Sequence, residues 1–146
     1  MTSTVSLAAG SATDVAGNAT TTTTSAAQDF NVSVPPTLTS ITDNAPGVAS
    51  GPVTFTFNWS EPVTGFSLAD ITITGAGSGT VGALTGSGAT YTLVYTPAAA
   101  SSGTIGLSVG AGAVVDALGN ANTGTLATTQ DYNTDAVAPT LVSITD

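Results

Sequence analysis

The sequence predicts an all-β protein built as an antiparallel sandwich, and three observations carry that expectation. Apolar and polar residues alternate with a period of two. The pattern is plainest where Val53, Phe55, Phe57 and Trp59 interleave with Thr54, Thr56 and Asn58. Clusters of Gly, Pro, Asn, Asp and Ser separate such segments, and no stretch carries a long helical period. Val, Ile and Thr fill the alternating stretches, which suits a pleated, half-buried surface.

The elements follow in order. TLTSIT (37–42) is a first strand, weakly amphipathic, with Leu38 and Ser40 set against Thr39 and Ile41. DNAPGVASG (43–51) is turn chemistry. PVTFTFNWS (52–60) is the clearest half-buried strand; its apolar face centres the core, with Trp59 packed inside. EPVTGFSLAD (61–70) is a long connection with one helical turn at Ser67–Asp70. ITIT (71–74) and GTVGAL (79–84) are the next strands, followed by a Gly-Ser-Gly turn. TYTLVYTP (90–97) sets Tyr91, Leu93 and Tyr95 on one face and Val94 on the other. GTIGLSV (103–109) alternates Ile105, Leu107 and Val109. DALGNAN (116–122) is a loop, and TLATTQDYN (125–133) is the last strand. About seven short strands with frequent turn signals are the pattern of an immunoglobulin-like sandwich, here without cysteine and so without the disulfide of antibody domains.

The chain also repeats itself. Residues 5–31 align with 107–133 at an offset of 102, and 12 of the 27 positions are identical, among them Asp14/Asp116, Gly17/Gly119, Asn18/Asn120 and Asp29/Asp131. PTLTSITD (36–43) then matches PTLVSITD (139–146) at 7 of 8 positions and an offset of 103. The unit is therefore about 103 residues long, and the sequence divides into the C-terminal part of one unit (1–35), a complete unit (36–138) and the start of a third (139–146).

Composition narrows the function. There is no Lys, Arg or His, and nine acidic residues give a net charge of −9. Nucleic acid and anionic membrane surfaces are excluded as partners, because both require cationic side chains. Without His, Lys or Cys the chain lacks the usual bases and nucleophiles, and catalysis is not expected. No apolar run is long enough to span a bilayer. The beginning, MTSTVSLAAG, has no basic region of a signal peptide, so an export signal is expected outside this sequence.

VTFTFNWSEPVTGFSLADITIT, YTLVYTPAA, GTIGLSVGAGAVVDALGNAN and DYNTDAVAPTLVSITD together resemble the bacterial Ig-like repeats of giant extracellular adhesins, of the RTX and BapA type. SEPV, DxxGN and AP-T carry the likeness, which covers nearly the whole chain. Two departures are the NW before SEPV and VSVPP at 32–36, where the later copy reads TDAVAP. The resemblance implies a secreted or cell-surface stalk protein of a bacterium, concerned with adhesion and biofilm and often stiffened by Ca²⁺.

The acidic residues, Asp14, Asp29, Asp43, Glu61, Asp70, Asp116, Asp131, Asp135 and Asp146, are expected at strand ends and connections, none within a strong strand. In an immunoglobulin-like sandwich two of those connections share one end, which draws Glu61 and Asp70 towards Asp116 and Asn120. The chain arriving from the preceding unit brings Asp29 and Asn31. Carboxylates gathered with no basic residue repel, and a hard cation removes that cost. Calcium, with about six to eight oxygen ligands and flexible geometry, suits such a set better than magnesium or zinc. Asp-x-x-Gly-Asn also reads simply as a turn, Asp accepting backbone amides and Gly supplying positive φ. The two readings are compatible.

The leading expectation is a structural spacer whose partners are neighbouring Ig-like repeats of the same or identical chains. One alternative is a module that binds carbohydrate or a host protein through its loops. Another is a self-assembling filament subunit that uses 1–35 for strand exchange.

Overall fold

The computed structural model describes residues 2–25, 27–29, 34–137 and 140–143. The chain forms two compact units, Met1–Ser33 and Val34–Asp146.

The first unit is a pair of short two-stranded ladders. β1 (Thr2–Ser3) pairs with β4 (Gln28–Asp29), and β2 (Ser6–Leu7) with β3 (Thr23–Thr24), both antiparallel. Val5 and Leu7 are exposed here, at 74% and 49%, whereas their counterparts one repeat later, Leu107 and Val109, are each 1% exposed. A hairpin alone has no opposite sheet against which to bury its apolar face.

The second unit is an all-β sandwich of seven strands among the described residues. These are β5 (Leu38–Asp43), β6 (Val53–Val63), β7 (Ile71–Thr74), β8 (Thr80–Val81), β9 (Thr85–Thr96), β10 (Ser102–Val109) and β11 (Leu126–Asn133). One sheet runs β5-β6-β9-β8 and the other β11-β10-β7, with every ladder antiparallel. Ala49 crosses to the second sheet and bridges Tyr132 in parallel.

Period-two alternation fills the space between the sheets. Val53, Phe55, Phe57 and Trp59 of β6, Tyr91, Leu93 and Tyr95 of β9, and Ile105, Leu107 and Val109 of β10 are all buried, as their spacing requires. Val94 faces outward at 40% exposure. Phe66, from the β6–β7 connection, sits edge-on to three rings, Phe57 at 5.4 Å, Trp59 at 5.3 Å and Tyr91 at 5.2 Å between centroids. Each such pair adds about 0.5–1.5 kcal/mol beyond area burial.

Four sequence expectations are corrected. Leu38 and Ile41 share the inner side of β5 although they lie three apart, because a bulge between Leu38 and Ser40 resets the alternation. β6 runs on to Val63, past the expected end at residue 60; its register shift between Asn58 and Val63 accommodates Pro62, which has no N–H for a regular ladder. Two acidic residues lie inside strands, Glu61 in β6 and Asp131 in β11, whereas Asp29 ends β4 and Asp43 ends β5 as expected. The strand expected over 79–84 shrinks to Thr80–Val81, and the Gly-Ser-Gly segment lies inside β9. The chain still folds back sharply there: Gly86 has φ +116 and lies so close to the Thr90 carbonyl that a Cβ could not fit. Thr85 Oγ1 meets Thr92 Oγ1 at 2.9 Å.

Candidate functional site

The β10–β11 connection is organised by Asp116. Its Oδ1 accepts the backbone N–H groups of Leu118 at 2.8 Å and Asn120 at 2.9 Å. Its Oδ2 accepts the Asn120 side-chain amide at 2.8 Å. The Asp116 N–H donates to Asn120 O at 3.1 Å, and Gly119, at φ +85, donates its N–H back to Asp116 O at 3.2 Å. The turn needs a residue that reaches positive φ without steric cost, hence the glycine. Asn122, buried at 3% exposure, braces the base of the loop: Oδ1 accepts Val114 N–H at 3.0 Å and Nδ2 donates to Gly110 O at 2.9 Å.

The same arrangement recurs in the first unit. Asp14 Oδ1 accepts Ala16 and Asn18 N–H at 2.8 and 2.9 Å, and Oδ2 accepts Asn18 Nδ2 at 2.8 Å. Gly17 has φ +86. Thr20 stands where Asn122 does, and its Oγ1 takes the Ala12 N–H at 3.3 Å, as Asn122 takes that of Val114. Asp14 is exposed and Asp116 buried, so the loop's internal bonds form in either environment. The Asn18 side chain foremost, with the backbone N–H groups of Asn18, Ala16 and Gly17, holds the Asp14 carboxyl below its ordinary range.

Within the second unit the expected elements do share one end. Thr64 and Val115 bridge, which joins the β6–β7 connection to the Asp116 loop. Pro36 O accepts Thr123 N–H at 3.2 Å, and Thr37 O accepts Ser60 N–H at 2.9 Å, so the residues just before β5 lie at that end too. Glu61 is half-buried near the end of β6. Asp70 is half-buried in the 3-10 turn Leu68–Asp70, where Oδ2 accepts the Ser67 N–H at 2.9 Å and hydroxyl at 2.7 Å. Asp116 and Asn120 are in direct contact. Among the described residues, no three acidic side chains form a group placed to hold a metal ion. Asp29 is described only as part of β4, and Asn31 lies outside the described residues.

Sequence reasoning missed Phe66, Asn122 and the Thr64–Val115 bridge. Comparing the two copies could not reveal Asn122, because its counterpart is Thr20. The bridge joins residues 51 apart with no shared motif.

A four-stranded sheet packed on a three-stranded one, with an aspartate-pinned loop at one end, defines an immunoglobulin-like β-sandwich domain. The family model of the bacterial Ig-like domain matches residues 32–134, and the chain belongs to that family. No curated protein matches the sequence.

Proposed function

We propose that this chain is a stretch of a spacer array from a secreted bacterial surface adhesin or filament, in which Ig-like units supply reach and calcium stiffens the junctions. The sequence then divides into the tail of one unit (1–35), a complete unit (36–138) and the head of the next (139–146). The observation that carries the reading is the recurrence of one loop, with the same side-chain and backbone bonds, around Asp14 and again around Asp116. A loop repeated unit by unit serves something each unit needs. Membership of the bacterial Ig-like family supports the same reading.

In this reading Glu61, Asp70, Asp116 and Asn120 of one unit, with Asp29 and Asn31 from the unit before, supply oxygen ligands to the ion. Asp116 and Asn120 already share the loop, and all the donors are hard oxygens. Without the ion, the uncompensated charge of −9 favours separation and bending at the junctions. The test is small-angle scattering and thermal melting of a protein carrying several consecutive units, in Ca²⁺ and in EDTA. Calcium should raise the melting temperature and lengthen the particle. Identical profiles in both would overturn calcium stiffening.

A second reading draws on the exposed Val5 and Leu7. The 1–35 segment then pairs with strands of another copy, and the chain self-assembles. Light scattering distinguishes the two readings: concentration-dependent growth of the 146-residue chain favours strand exchange, and a monomer at all concentrations favours the spacer.

A further inference from the structure

We propose that residues 133–137 form a self-bracing strap that fixes the direction in which the chain leaves the sandwich, with no metal ion required. Its use as a stiffener rests on the spacer reading, but its existence does not. β11 ends at Asn133, and the next residue is bound to the β9–β10 connection through both backbone and side chain. Thr134 N–H donates to Ser101 O at 2.8 Å, and Thr134 Oγ1 accepts Ser101 N–H at 3.0 Å. The Thr134 hydroxyl donates to Ala98 O at 2.6 Å, and the Ser101 hydroxyl reaches the same carbonyl at 2.6 Å.

The receiving turn is strained. Ala100 has φ +51, and it is the one non-glycine residue in that region among those described. An L-residue there costs about 1–2 kcal/mol. Such a conformation persists where its surroundings over-determine it, and the bonds among Ala98, Ser101 and Thr134 do so here.

Beyond Thr134 the chain is exposed, so packing cannot order it. Side chains do so instead. Asn133 Oδ1 accepts Asp135 N–H at 2.9 Å, and Asp135 Oδ1 accepts Val137 N–H at 2.9 Å. These are two Asx turns in succession, each satisfying an amide two residues on. Fixing one backbone residue costs about 1–2 kcal/mol of entropy, so an exposed segment lacking such bonds would not keep one course.

The test is 15N relaxation and amide exchange on the full 146-residue chain in EDTA. Heteronuclear NOE values at 134–137 should match those of β10 and β11. Asp135→Ala should drop the Val137 value to that of a free tail and speed its amide exchange several-fold, with the melting temperature unchanged. Asn133→Ala should do the same at Asp135. Asp135→Asn, which keeps an acceptor oxygen, should restore order. Tail-like values at 134–137 in the wild-type chain, or equal values for Asp135→Ala and wild type, would overturn the strap. Order that appears only when calcium is added would also overturn it, while leaving the spacer reading standing.

Discussion

Thr64 and Val115 exchange two backbone hydrogen bonds, Thr64 N–H to Val115 O at 2.8 Å and Val115 N–H to Thr64 O at 3.1 Å. The pair ties the end of a strand in one sheet to the loop that follows a strand in the other. Val115→Pro deletes one donor and leaves Thr64 O without that bond, so it should destabilise the sandwich by about 1–3 kcal/mol. Thr13→Pro, at the equivalent place in the first unit, should leave the main unfolding transition where it is. Urea melts of both variants check the contrast.

Asp116 and Asp14 make the same bonds in different surroundings, which separates local from tertiary value. Asp116→Ala strips the acceptor from two backbone amides and one side-chain amide at a buried site. The expected cost is about 2–4 kcal/mol. Asp116→Asn keeps the oxygen that takes both backbone amides and should cost about 1 kcal/mol. Asp14→Ala, in water, should leave the sandwich transition unmoved. Calorimetry of the three variants ranks them.

The loop around Asp14 should loosen in acid. Its carboxyl is held below the ordinary range, chiefly by the Asn18 side chain. A depressed folded-state pKa means that the ionised group supports the loop. That support is complete above the ordinary carboxylate pKa and is lost as pH falls through the depressed value. A 13C titration should place the Asp14 midpoint below that of an unstructured aspartate. Asn18→Ala should move the midpoint upward.

Tyr95 governs the alkaline limit. Burial, and then the neighbouring Tyr132 hydroxyl, push its phenol up to about 12. A raised folded-state pKa means that the stabilising contribution is whole below the unfolded value and fades as pH climbs through the folded one. Ultraviolet titration should therefore show one tyrosine ionising near 12, with unfolding setting in over the same range. Tyr132→Phe should bring that midpoint down.

Ala100 carries strain that glycine would not. Ala100→Gly relieves a positive φ of 51° and loses part of the gain to unfolded-state entropy, so the net expectation is a stabilisation of about 0.5–1 kcal/mol. A higher urea midpoint with unchanged slope confirms it, and a lower midpoint counts against strain at this position.

Much of the sandwich was legible in advance because its signals are local. Alternation in β6, β9 and β10 named the core, and Ser67–Asp70 was read as a helical turn where the 3-10 turn lies. The Asp-x-x-Gly-Asn turn was legible for the same reason, since all its bonds fall within four residues. Phe66 was not, because nothing near it in the chain announces the three rings it meets.

The sequence by itself determined which residues of β6, β9 and β10 face inward, where most of the chain turns and that one loop recurs a repeat later. Period-two patterning and turn chemistry are properties of neighbouring residues, and they act before any sheet forms. Tertiary structure alone decided that Asp116 is buried while Asp14 is not, that a bulge sets Leu38 and Ile41 on one side, and that Thr64 meets Val115. Those outcomes depend on strands distant in sequence closing over one another, and a local pattern carries no record of which partner arrives.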